Sequence, residues 1–119
     1  MAATLSTDAQ ILLAIGQNAS AAQISSTNTD IWGLYAESDM EVEAGQKVGL
    51  VANYSGITAA AKQWLAMVHS HRVAWYAINQ NQNSWSLATT QSKLNVIDDI
   101  WQEFKNKIKN KDVIEDLNL

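Results

Sequence analysis

Between Leu87 and Ile108 the large apolar residues Leu87, Leu94, Ile97, Trp101, Phe104 and Ile108 are spaced 7, 3, 4, 3 and 4. At 3.6 residues per turn that spacing gathers them into one stripe of the kind that helices bury against other helices. A last helix over about 88–110 is therefore predicted, and it demands a helical partner. The partner is found over about 57–79. There Ile57, Ala60, Ala61, Trp64, Val68, Trp75 and Ile78 fall on one face at 100° per residue, while Lys62 and Gln63 point elsewhere. Ser55 is its expected N-cap.

Upstream, Thr7 and Gln10 form a capping-box pattern with Asp8 in the first turn, so a short helix is expected over about 8–18, carrying Ile11, Leu12, Leu13 and Ile15. The polar stretch SSTNTD at 25–30 reads as a connector that caps the next element. That element contains ESDMEVEAGQKVGLVANYSG, residues 37–56, in which Glu37, Asp39, Glu41 and Glu43 occupy every second position. Read as a strand, the acids line one face and Gly45-Gln46 turns into a second strand. Read as a helix over about 30–52, Ile31, Leu34, Tyr35, Ser38, Val42, Gly45, Gly49 and Ala52 share one line, packing against a neighbour while the acids face solvent or a neighbouring subunit. The helix is favoured, because a lone hairpin with no other strand candidate is marginal. The fold expected is all-α, a compact bundle of three to four helices at about 8–18, 30–52, 57–79 and 88–110; the alternative is α+β with a hairpin at 40–53. Its 119 residues make one domain, with 1–6 and 111–119 as flexible or partner-docking tails.

Function classes narrow by composition. A net charge of -4 and few basic residues argue against nucleic acid or anionic membrane as the main partner. The absence of cysteine removes disulfides and thiolate chemistry. The opening MAATLSTDAQ has neither a basic segment nor an apolar core region, so no secretory signal is expected, and no apolar run reaches the roughly 20 residues of a membrane helix. Charged residues are only 17% of the chain, a surface compatible with burial against partners.

No catalytic residue, metal ligand or cofactor site is expected. His69 and His71 diverge by about 200° on a helix and cannot share an ion. His71 is placed on the apolar face near Trp64, Met67, Val68 and Trp75, as a packed histidine. Counted from Asp39, the EF-hand positions that need Gly and Glu hold Ala44 and Leu50, so the acidic run fails the calcium motif. Glu103 stands four residues before Lys107 and supports its helix. Trp32, off its helix's apolar line, and Trp85, in a polar loop, are the expected anchors on a partner. Lys105, Lys107, Lys109 and Lys111 complement the end of the last helix or meet an acidic partner surface, and Val113, Ile114 and Leu117 give the tail apolar contacts.

Three segments in order, LYAESDMEVEAGQKVGLVANYSG, VAWYAINQNQNSWSLATTQSKLNVIDDI and KIKNKDVIEDL, carry a pattern. An acid-bearing helix ends at an Asn-aromatic-Ser turn, an aromatic-rich helix leads to an Asn-rich loop, and a helix with LNV precedes a Lys-Asp-Val tail. Over residues 34–117 this resembles the small head-to-tail connector, or adaptor, proteins of tailed bacteriophages. The resemblance implies a helical structural protein without enzymatic activity or cofactor. It implies copies assembled as a ring beneath the portal in the virion and contacts with portal and tail or neck proteins; non-specific proximity to DNA is instead the alternative reading of Lys105, Lys107, Lys109 and Lys111. On the positional match Asn53, Tyr54 and Ser55 form a turn, and Lys111, Asp112 and Val113 begin the docking tail. Two other readings stand beside it: a small non-virion regulator or inhibitor that binds one protein, and a ligand-binding domain using His71, Trp64 and Trp75.

Overall fold

The computed structural model describes residues 5–15, 26–44, 50–52, 54–80 and 87–108. Among them lie α1 (Asp8–Ile15), α2 (Ser26–Ala44), α3 (Ala59–Gln80) and α4 (Leu87–Ile108), with a 3-10 turn at Tyr54–Gly56 ahead of α3. The chain is an all-α helical bundle. The hairpin alternative at 40–53 is excluded, because 40–44 is helical and 50–52 is a turn.

Helix starts follow local chemistry. The Thr7 amide donates to Gln10 Oε1 at 2.8 Å and the Gln10 amide to Thr7 Oγ1 at 3.3 Å, the reciprocal capping box that was expected. Before α3 the cap is Thr58, not Ser55: its Oγ1 accepts the Ala61 amide at 3.3 Å and its carbonyl the Lys62 amide at 2.9 Å. Ser55 is taken up in the 3-10 turn. The Lys107–Glu103 pair closes at 2.6 Å across one turn of α4. The ends expected at 16–18 and 109–110 lie outside the described residues.

α2 departs most from expectation. It begins at Ser26, inside the stretch read as a connector, and it has ended by residue 50. Leu50 turns fully into the core, and Glu41 Oε1 accepts the Val51 amide at 2.9 Å. A carboxylate thus satisfies an amide that a continuing helix would have satisfied through its own carbonyls. The expected inward line is also reversed. Thr29, Trp32, Gly33, Ala36, Glu37 and Met40 are buried, whereas Ile31, Leu34, Tyr35, Ser38 and Val42 are exposed.

α3 is the central helix, packed against α1, α2 and α4. Its two halves serve two core clusters. Val73, Ala74, Ala77 and Ile78 meet Ile11 and Ile15 of α1, Trp32 and Ala36 of α2, and Ile97 of α4. Leu65 and Val68 meet Leu5, Met40, Leu50, Ile57, Trp101, Phe104 and Ile108. The α4 stripe is therefore buried from Ile97 to Ile108 as its spacing predicts, at about 1.5–3 kcal/mol for each large side chain.

Candidate functional site

The sequence-predicted residues scatter. Trp32, expected to anchor a partner, is only 9% exposed and lies in the first core cluster, because the face of α2 that carries it turns toward α3. Lys105 is half-buried, while Lys107 is exposed and occupied by Glu103. Trp85, Lys109, Lys111, Val113, Ile114 and Leu117 lie outside the described residues. The acids of α2 do not line a wet face either. Glu37 is buried and accepts the Leu5 amide at 2.9 Å, Asp39 holds Arg72, and Glu41 holds the Val51 amide.

A ligand pocket of His71, Trp64 and Trp75 does not form. Trp64 packs into the second cluster, 5.6 Å from Phe104 between ring centroids, while Trp75 packs on the first cluster beside Tyr76. His71 is half-buried, with Nδ1–H donating to the Met67 carbonyl at 2.7 Å. It forms a wall of two clefts of about 290 and 310 Å³ flanking α1, and neither Trp64 nor Trp75 lines them.

The buried histidine is His69. Its Nε2–H donates to the Gly33 carbonyl at 2.9 Å, which leaves Nδ1 as the acceptor for Ser6 O–H at 2.5 Å. Burial lowers its pKa from 6.5, against the opposing influence of the Gly33 bond and the Glu37 charge, so the ring is neutral near pH 7. A serine bonded to a neutral imidazole has the first two members of a nucleophilic triad. Here His69 is fully enclosed and Ser6 buried, and the bond fastens residue 6 to α3.

Arg72, the chain's single arginine, is the other polar centre. Its Nε donates to Asp39 Oδ2 at 2.9 Å, and Tyr76 O–H donates to the same oxygen at 2.5 Å. The guanidinium sits 4.4 Å from the ring centroids of both Trp75 and Trp101. Burial, and then the Asp39 carboxylate, push the Tyr76 phenol up to about 12. The cluster ties α2, α3 and α4 together and fills its aromatic cage with the chain's own cation. Among the described residues no group of three or more His, Cys, Asp or Glu is placed to hold a metal.

Two outward surfaces are apolar. Ile31, Leu34, Tyr35 and Val42 are 43%, 43%, 53% and 75% exposed along the outer face of α2, with exposed Ser38 between them. Their offsets of 3, 4, 7 and 11 residues keep them within about 60° of one line. A second apolar surface, sharing no residue with the first, is made by exposed Leu13, Met67 and Val96 at the clefts around His71. No helix among the described residues is long and apolar enough to cross a membrane. No protein-family model, curated protein or solved structure matches the chain.

The sequence reading missed Ser6, His69, Asp39 and Arg72. Only His69 left a local signal, since Leu65, His69, Val73 and Ala77 repeat every four residues on what is the buried line of α3. Asp39 and Arg72 are 33 residues apart, beyond any local pattern.

Proposed function

We propose that this chain is a structural subunit that acts through protein–protein contact, as a head-to-tail connector of a tailed phage assembling into a ring of like copies beneath the portal. The observation that carries the assembly reading is the outer face of α2. A helix that already buries one apolar face against its own core presents a second, led by Tyr35 and Val42. Contiguous exposed apolar surface of this kind marks interaction sites. The three α2 acids whose partners are described above are bonded within the same chain, and the stripe of Ile31, Leu34, Tyr35, Ser38 and Val42 itself carries no charge.

Ring closure requires two different surfaces that meet head to tail. The α2 stripe and the clefts walled by Leu13, Met67, His71 and Val96 supply such a pair, the occupant of the clefts being the stripe of the next copy. The phage role rests on the resemblance of residues 34–117 and extends the assembly reading to the virion, to portal and tail or neck proteins as partners, and to no catalytic activity.

The test is Val42→Asp, examined by analytical ultracentrifugation over a concentration series and by binding to a purified portal ring. Wild-type chains are expected to form higher oligomers or bind the ring, and the variant to do neither, with its folding stability within about 0.5 kcal/mol of wild type. A wild-type chain that stays monomeric at high concentration and ignores the ring overturns the proposal. Recovery of the chain only free in host cells, never in purified virions, would replace the connector role with that of a non-virion regulator using the same surface.

A further inference from the structure

Residues 5–7 form a strap that leads into α1 and is fastened by three buried contacts. Leu5 is buried in the second core cluster, to which α2 contributes Met40 and α3 contributes Leu65 and Val68. Its amide donates to Glu37 Oε2. Ser6 O–H donates to His69 Nδ1, and the ring is held in the matching tautomer by the Gly33 carbonyl. The Ser6 fastening is made to one protonation state of His69. The carbonyl of Gly33 can only accept, so Nε2 carries hydrogen and Nδ1 is bare; a second ring proton would turn the bond round, with Ser6 Oγ accepting from Nδ1–H and the Ser6 hydrogen turned away from the ring.

We propose that this is an acid-operated latch, in which protonation of His69 frees residues 5–7 from α2 and α3 and empties the core position that Leu5 fills, while α3 remains helical. The step adds one proton to Nδ1 and breaks no covalent bond. Ser6 Oγ must then turn to accept from Nδ1–H, which leaves its own hydrogen without that acceptor in a buried site, and the imidazolium competes with the Leu5 amide for the Glu37 carboxylate; the enclosed cation is relieved when the strap opens and water reaches it. A cleft of about 180 Å³ lined by Ser6, Tyr54, Lys62 and Gln63 runs along the strap and gives water a route to it.

The charges around the ring can be followed element by element. On α2, Glu37 favours the imidazolium. On α3, Lys62 stands at the cleft over the Tyr54 ring, 4.8 Å from its centroid, and Arg72 is committed to Asp39. The strap and α1 contribute the uncharged Ser6 and Gln10, and α4 contributes Trp101 and Phe104 to the adjoining core. A lone buried imidazolium facing one carboxylate is disfavoured, which places opening below the ordinary histidine range. The latch does not rest on the assembly reading, since its groups lie on the inner face of α2.

The experiment is nuclear magnetic resonance on the full chain from neutral to acidic pH, following the His69 ring nitrogens, the Leu5 amide and the amides of Val73 and Ala74. The expected result is that His69 titrates below 6.5 and that Leu5 loses exchange protection at the same midpoint, while Val73 and Ala74 keep theirs. Ser6→Ala should raise the His69 midpoint, because the O–H bond to the neutral ring is gone, and should speed Leu5 exchange roughly tenfold at neutral pH. His69→Gln, which keeps an amide donor and has no titration, should abolish the acid step. Retention of Leu5 protection through the His69 titration, simultaneous loss at Val73 and Ala74, or an unchanged His69 midpoint in Ser6→Ala would each overturn the latch.

Discussion

Replacing Asp39 by Asn removes the one carboxylate that Arg72 and Tyr76 share. The Tyr76 phenol should then titrate below its present value of about 12 yet stay above 10.0, because burial is the largest cause of its elevation and the substitution leaves burial in place. Ultraviolet titration of the variant against a Tyr76→Phe control reads this directly. The cost in stability should be about 1 kcal/mol, between an exposed ion pair and a buried one, since Asp39 keeps 30% of its side-chain surface in water. At His69 the sign is opposite to that of a stabilised cation. Its folded pKa lies below the unfolded 6.5, so the unfolded chain binds the proton more readily and stability falls as pH drops below 6.5, levelling off below the folded value. The Asp39–Arg72 pairing was not legible in the residues around either partner. Arg72 is set in an interior of Trp75, Tyr76 and Trp101, and its pairing with Asp39 is made across two helices.

At the scale of the helix, α4 and α2 are opposites. The α4 apolar residues repeat at 3 and 4 with Asp98, Asp99 and Glu103 on the other side, so one periodicity predicts one buried face. In α2 the apolar residues form two lines, Trp32, Ala36 and Met40 on one and Ile31, Leu34, Tyr35 and Val42 on the other. Periodicity proposes both lines, and nothing local chooses between them. The side with three large side chains near one another looked the better core face. Packing instead chose the side whose Ala36 and Gly33 let α3 come close enough for His69 to reach the Gly33 carbonyl. Caps are the most local devices of all, and the Thr7–Gln10 box was readable for that reason. Thr58 was passed over for Ser55 because both hydroxyls precede the same apolar stripe. Thr58→Ala should cost about 1 kcal/mol, measured by urea denaturation, while Ser55→Ala should cost little.

For the whole molecule, the central position of α3 makes the two core clusters one structure, since a single rigid helix carries both. Trp32 gives a clean test of that organisation. As a core residue it should cost about 3–5 kcal/mol on replacement by Ala, seen as a large drop in the chemical denaturation midpoint; a surface anchor would leave the midpoint unchanged and weaken only assembly. The same placement divides labour across α2. Its inner face holds the strap, the Arg72 cluster and Trp32, and its outer face carries the exposed line of Ile31, Leu34, Tyr35 and Val42.

Helix identity, approximate length and the first cap were determined by the sequence alone, because they rest on interactions within one or two turns, where spacing in the chain is spacing in space. The tertiary structure decided which face of α2 turned inward, which of the two histidines was enclosed, and what the acids of residues 37–41 were for. Those outcomes rest on bonds between residues 32, 36 and 63 positions apart, from Leu5 to Glu37, Gly33 to His69 and Ser6 to His69. A buried polar group takes the partner that the packed helices bring to it, and the acidic alternation of residues 37–43 carries no trace of that choice.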